Sequence, residues 1–440
     1  MEKTLDYATK KADQAEVILA KSDSFSLSAD QGKIDKYQIS NSRSIGVRVI
    51  KDSKVGISYT ESLDSSSIQD MVDLALDNAS HMKEDHFQKI ESPIGDKKLI
   101  NDHKKNYAED STETSDKIKF CIQLEKKVKE LDPRIKGAPY NGYGESSVER
   151  YILNTEGLNS FERSRHFSCY TSCLIEEGNK NGMHYKGMSA RTFKDLDAES
   201  VISESYAIAK GLLEASSLSS GKYNILFSTD CLQDFLSCFS IIFSGKSTVE
   251  GKNPFKDKSG EGVFSPLISI RDLPHFDDAS HFHLFDDEGL LMKDLSLIEN
   301  GVLSNFYHNS ATAKEMGVKN NARASRGTKG QLSVGGTTKV IGVGTTPDKE
   351  LTSTPYLEIL SMQGLHSGAN AISGDFSFAV SGHAHENGKV KPFKGVTLSG
   401  NFYQMMKDQV SELGDQLHRD SHYSFFTPLI RFNDMSISGS

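Results

Sequence analysis

Residues 373–401 read SGDFSFAVSGHAHENGKVKPFKGVTLSGN. Small residues and alternating apolar positions flank Glu386-Asn387-Gly388. An Asn-Gly pair between two such runs predicts a hairpin, because a primed turn needs positive φ and these two residues tolerate it. Two antiparallel strands therefore lie in the C-terminal half of the chain. Upstream, Tyr223–Ser228 reads as a strand and Asp230–Phe243 as a helix. A glycine-rich, strand-dominated region follows to the end. Gly342-Val343-Gly344 is not followed by a helix and no Walker pattern occurs, so tight turns rather than a phosphate cradle are expected there.

The N-terminal half has a different grammar. Residues 4–14 suggest a short amphipathic helix, followed by strand-like runs at Glu16–Leu19, Ser24–Ala29 and Lys33–Asn41. Ser44–Ile50 and Lys54–Thr60 flank Lys51-Asp52-Ser53 as a further hairpin. In Ser65–Ser80, Ile68, Met71, Val72, Ala75, Leu76 and Ala79 form a helical stripe. Lys83–Asp110 reads as a charged connector and Ser115–Leu131 as a second amphipathic helix. Gly142–Thr192 shows strand alternation broken at Asn154–Gly157 and Glu176–Gly182, an antiparallel meander. Leu196–Ala215 is a third helix. The expected class is α+β, with an N-terminal α/β region of antiparallel hairpins and amphipathic helices and a β-rich C-terminal domain. At 440 residues the chain exceeds a single core. The expected division is 1–110, 111–218 and 219–440.

The net charge of −9 argues against a nucleic-acid partner, which needs a basic face. The most basic stretch, Lys314–Lys329, reads as a solvated loop. A mean hydropathy of −0.46 is ordinary for a water-soluble chain. No apolar run approaches the roughly 20 residues of a membrane span, and the start lacks the apolar core of a secretion signal. Five cysteines fit a reducing compartment. Cys169 and Cys173 would stand about 13 Å apart along a strand, and Cys231 and Cys238 about 10 Å apart along a helix. Both exceed the reach of a disulfide, and a cytoplasmic location is expected.

Fourteen histidines invite a search for a metal centre. His385-Glu386 continues into the turn and not into a helix, so His383, His385 and Glu386 read first as a solvated hairpin end, with metal ligation as the alternative. His275, His281 and His283 cluster with Asp277 and Asp278. On a strand His281 and His283 would share one face, and an exposed β surface is the plainer reading. His418 and His422 have i, i+4 spacing without a clear helix. No G-x-S-x-G elbow is present. Cys231 and Cys238 fit an apolar helix face with Leu232, Phe235, Leu236, Phe239 and Ile242.

Several segments, in order, resemble the TldD/PmbA family, and within it the PmbA (TldE) branch. They are Ser44–Thr60 (SIGVRVIKDSKVGISYT), Phe285–Leu303 (FDDEGLLMKDLSLIENGVL), Asn309–Ala313 with Gly317, Ser373–Phe378, Glu386–Gly388 and Gly400-Asn401. The resemblance implies a relative of a zinc metallopeptidase whose H-E-x-x-x-H motif lies on the helix after the first C-terminal strand, with a late cysteine as a further ligand. Here the matching positions are Ser237, Cys238 and Ile242, and Leu413–Ser440 has no cysteine. The resemblance thus implies no catalytic residue, no metal and no cofactor in this chain. Zinc is expected in a TldD-type partner subunit, and the chain itself in a non-catalytic role. A homodimer is the alternative. Unfolded peptide is the expected substrate of such a complex, and strand edges of the β-rich C-terminal domain are the expected docking surface. Two other readings stand beside this one: an active metallopeptidase with a relocated site at His383, His385 and Glu386, and a stand-alone peptide-binding scaffold.

Overall fold

The hairpin forms as its turn chemistry requires. In the computed structural model, which describes residues 1–91 and 97–439, strands Asp375–Glu386 and Lys389–Asn401 pair from Asp375↔Asn401 to Glu386↔Lys389. Asn387 and Gly388 turn the chain with φ of 52° and 72°. Phe376, Phe378 and Val380 on one strand and Phe393, Val396 and Leu398 on the other are buried.

That hairpin is part of a six-stranded sheet ordered Lys389–Asn401, Asp375–Glu386, Tyr356–Gln363, Gly221–Phe227, Ile430–Ser438 and Val410–Leu413. Lys389–Asn401 also pairs with Ile430–Ser438, through Thr397↔Ser438 and Leu398↔Ile437. Five strands thereby close into a ring and Val410–Leu413 is appended. Closure removes the edges of these five strands, while Val410–Leu413 and a second, open sheet keep theirs. Phenylalanine fills this core: Phe235 meets Phe376, Phe378 and Phe402 edge-on, and Phe239 stacks on Phe402 at 4.2 Å. A second sheet of short strands runs Val302–Leu303, Leu295–Glu299, Ile270–Asp272, Lys339–Ile341, Phe425–Thr427 and His418–Arg419.

In the N-terminal half, the separate runs at Glu16–Leu19 and Ser24–Ala29 join into one strand, β1 (Gln14–Asp30). Lys33–Asn41 and Ser44–Ile50 likewise join into β2 (Lys33–Lys51), which turns into β3 (Lys54–Thr60). Polar residues mid-strand disguised the continuity, because that stretch of β2 is solvent-exposed. The remaining strands are β4 (Lys98–Asn101), β5 (Ile135–Gly137), β6 (Gly142–Asn154), β7 (Asn159–Glu177) and β8 (Lys180–Ala190). The order is β3-β2-β1-β6-β7-β4, with β5 and β8 also on β7. β1 pairs with β6 from Glu16↔Asn154 to Leu27↔Tyr143, so one sheet spans the segments before and after residue 110. Strand exceeds helix, 41% to 24%, and the antiparallel sheets make the class α+β.

The helix α1 spans Glu2–Thr9, shorter than the sequence suggested, because the chain must enter β1 at Gln14. α2 (Ser65–Ser80) is capped by Asp64, which accepts the Ser67 N–H, and buries Met71, Val72, Ala75 and Ala79. α3 (Thr114–Glu130) and α4 (Ala198–Glu214) cover the β7–β8 end of the sheet. Within the charged connector, β4 forms beside β7, and residues 92–96 lie outside the described residues.

After β9 (Gly221–Phe227) the helix expected over Asp230–Phe243 is shorter. α5 spans Thr229–Cys238, and Ser240–Phe243 forms a separate 3₁₀ turn. Serine and paired β-branched isoleucines (Ser240, Ile241, Ile242) are weak helix formers, and Ile242 is drawn into the core. The basic stretch Lys314–Lys329 is also not simply a solvated loop. It starts on the helix Ser310–Met316, and Arg323 and Arg326 are buried among acids.

Candidate functional site

The N-terminal sheet and the C-terminal domain meet along a charged seam. Arg326 pairs with Glu16 of β1, where Arg48 of β2 also approaches at 3.5 Å. Arg150 of β6 donates to Glu162 of β7 at 3.0 Å, to Asp287, and to the Arg326 carbonyl at 2.7 Å. Above this bridge lies a cleft of about 260 Å³ whose lining includes Arg150, Glu162, His281, His283, Asp286 and Thr337.

Burial controls protonation in the cleft. Asp286 is pushed from the ordinary 3.8 to about 8 by burial, aided by the charge of Glu288, against backbone N–H bonds from Leu290 and Ala324. Glu162 and Glu288 are also raised by burial. His283 is lowered to about 4, and His281, whose ring centre is 4.3 Å away, is lowered further. The cleft thus presents neutral imidazoles, a buried carboxyl that holds its proton near neutral pH, and the guanidiniums of Arg150 and Arg163. Such a set can donate to and accept from a peptide backbone.

Thr337 also lines a neighbouring cavity of about 200 Å³, formed by Gln233, Leu236 and Ser237 of α5 with Phe243, Lys339 and Phe425 among others. Burial lowers the Lys339 ammonium, with Asp272 acting in the opposite sense. The cleft and this cavity meet at Thr337, which lines both.

Three domain signatures cover most of the chain. The PmbA/TldA metallopeptidase domain 1 matches residues 15–79, the central domain 107–213 and the C-terminal domain 220–439. The chain belongs to the PmbA/TldD metallopeptidase family. Among PmbA/TldD relatives, a metalloprotease PmbA homolog from Haemophilus influenzae is 26% identical, the match covering 99% of this chain and 94% of the relative. The metalloprotease PmbA of Escherichia coli O157:H7 is 22% identical over the same shares. Solved structures agree in fold. A modulator of a DNA gyrase from Thermotoga maritima superposes with a TM-score of 0.87 at 23% identity, covering 99% of this chain and all of that one. TldE from Thermococcus kodakarensis superposes with a TM-score of 0.84 at 20% identity over both full chains.

At Ser237, Cys238 and Ile242, the positions that the resemblance implies for the zinc motif, the side chains present do not fit a zinc ion. Ser237 Oγ donates to the Gln233 carbonyl at 2.8 Å, inside its own helix. Cys238 Sγ lies 3.3 Å from the Asp234 carbonyl, and burial raises its thiol. Ile242 is a core hydrocarbon on the 3₁₀ turn, 1% exposed. Hydroxyl, thiol and alkyl groups out of helical phase do not make a zinc donor set.

The other sequence candidates separate. His281 and His283 are half-buried on the cleft wall, in no regular strand, and not on an exposed β surface. His275 stacks on Phe282, while exposed Asp277 pairs with Lys105 at 2.6 Å. His418 pairs with Asp348 at 2.6 Å and His422 contacts Ser189 at 3.0 Å, so these two serve different neighbours. His383 and His385 are half-buried rather than a solvated hairpin end. Glu386 is exposed at the turn, and the carboxylate beside the imidazoles belongs to Glu358 on the neighbouring strand. Glu358 is a residue the sequence reading missed. Only the register of Tyr356–Gln363 on Asp375–Glu386 reveals it. Asp286 and Glu288 were visible in the FDDEG segment, but their burial was not.

Proposed function

We propose that this chain is the PmbA/TldE-like subunit of a TldD/TldE-type metallopeptidase complex that degrades or trims unfolded peptides, with the catalytic zinc held by a TldD-type subunit. The observation that carries this reading is the chemistry at Ser237, Cys238 and Ile242, where a peptidase subunit would need zinc ligands. The resemblance to both branches supports it: alongside the PmbA homolog, Haemophilus influenzae has a metalloprotease TldD homolog, 23% identical over 90% of this chain.

In this reading the chain's residues bind and orient a peptide. Arg150, His281 and His283 in the cleft, and Ser237 with Lys339 in the adjoining cavity, supply hydrogen bonds to an extended backbone. Strand addition falls to edges outside the closed ring, such as β3 of the N-terminal sheet and the outer strands of the second C-terminal sheet. Among the described residues, no helix is long and apolar enough to cross a membrane, and the proposed setting is the cytoplasm.

The test is reconstitution. The purified chain alone is expected to leave an unfolded peptide intact, and addition of a TldD-type family member is expected to give a complex on size exclusion and chelator-sensitive cleavage. Chelator-sensitive cleavage by the chain alone would overturn the reading. Recovery from its native cell as a lone homodimer would favour the peptide-binding scaffold instead.

A further inference from the structure

Away from α5 and the cleft, the C-terminal ring brings three ligand-type side chains together. Strands Tyr356–Gln363 and Asp375–Glu386 pair antiparallel, with Glu358 opposite His383 and Tyr356 opposite His385. The two-residue strand period places His383 and His385 on one face, and the register sets the Glu358 carboxylate beside them. One donor atom from each lies within 4.8 Å of the others. Glu358 Oε2 is 3.5 Å from His383 Nδ1 and 3.1 Å from His385 Nε2. Bonds of about 2.0–2.2 Å in a tetrahedron set neighbouring donors roughly 3.4 Å apart, and the two measured edges bracket that value.

The surroundings suit a site that an ion can enter. The side chains of His383, His385 and Glu358 are 27%, 25% and 34% exposed. The Tyr356 ring stacks on His385 at 4.3 Å and 5°, fixing the imidazole plane. α4 covers one side at Gly211, where a Cβ would stand 3.6 Å from His383 Nε2.

We propose that Glu358, His383 and His385 form a divalent transition-metal site, non-catalytic and separate from the zinc-motif positions, that clamps two strands of the C-terminal ring beneath α4. Two imidazoles and one carboxylate favour zinc or cobalt over calcium or magnesium, which prefer all-oxygen shells. A fourth position stays open toward solvent. The site concerns an ion held by this chain and is independent of whether a TldD-type partner exists.

The full chain, stripped with a chelator and dialysed, is titrated with zinc chloride, and with cobalt(II) chloride as a coloured probe. One equivalent of zinc should bind, raise the melting temperature, and protect His383 and His385 from acylation read by peptide mass spectrometry. Cobalt should give visible d–d bands without a thiolate charge-transfer band. Glu358→Gln and His385→Ala should each weaken zinc binding at least tenfold, whereas Glu386→Gln should leave it unchanged. Glu358→Gln is isosteric, and circular dichroism checks that it folds. Absence of saturable binding would overturn the proposal and leave the trio a plain imidazole–carboxylate network. So would wild-type affinity in folded Glu358→Gln, a thiolate band, or equal binding of magnesium.

Discussion

At the scale of single residues, the buried ions dominate. Arg323 and Asp272 are both fully buried. Asp272 also accepts from Tyr307 at 3.0 Å and from the Thr337 N–H and hydroxyl. Removing one member of such a pair strands the other charge, so Arg323→Ala is expected to cost roughly 3–5 kcal/mol by urea denaturation. Asp286 gives a pH signature. Its folded value near 8 exceeds the ordinary 3.8, so between these limits the folded chain keeps a proton that the unfolded chain releases. Its contribution to stability is therefore complete below about pH 4 and declines as pH rises through about 8. The urea midpoint should fall between pH 6 and pH 9 in the wild type, with a shallower fall in Asp286→Asn. Equal slopes would assign the titration to another group.

At the scale of elements, sequence patterns located most boundaries and lost the continuity. The hairpin turn, α2, and the breaks at Asn154–Gly157 and Glu176–Gly182 were legible because local turn and cap chemistry specifies them. β1 and β2 were read as fragments because short polar stretches within them, such as the exposed Ser42-Arg43, carry no alternation, and only pairing with a neighbour makes them strand. α5 was overrun because the same apolar pattern continues into the 3₁₀ turn. The site was less legible than the fold. The two histidines of the ring trio were flagged, but the carboxylate was assigned to sequence neighbour Glu386 instead of cross-strand neighbour Glu358, and the burial of Arg323 and Arg326 left no mark in a polar stretch. At the turn itself, Gly388 has positive φ and open space around it. Gly388→Ala should therefore cost about 1–2 kcal/mol from backbone conformation alone, with zinc affinity at Glu358 unaltered.

At the scale of the molecule, the two halves are held by ions and close backbone contact. A Cβ on Gly46 would stand 1.9 Å from the Thr328 carbonyl oxygen, and Ser44 meets Thr328 at 2.7 Å. Glu16 is the counter-charge for both Arg326 and Arg48, and among the described residues the Arg48 guanidinium nitrogens have no hydrogen-bond partner. Glu16→Gln should therefore loosen the seam as well as lower stability, splitting one calorimetric transition into two, with the N-terminal sheet and the C-terminal domain melting apart. A single transition shifted to lower temperature would show that packing, not charge, couples the halves.

The closed ring also sets an order of events for the growing chain. Gly221–Phe227 must pair with Ile430–Ser438, roughly two hundred positions later, and that same strand seals the ring against Lys389–Asn401. The N-terminal sheet, complete by residue 190, can assemble while synthesis continues. The C-terminal ring cannot until Ile430–Ser438, its sealing stave, has been made. Until then Phe227, Phe235 and Phe378 lack the wall that hides them. A ribosome stalled before Ile430 would hold a finished sheet tethered to an open, sticky half-barrel, the kind of surface that chaperones recognise.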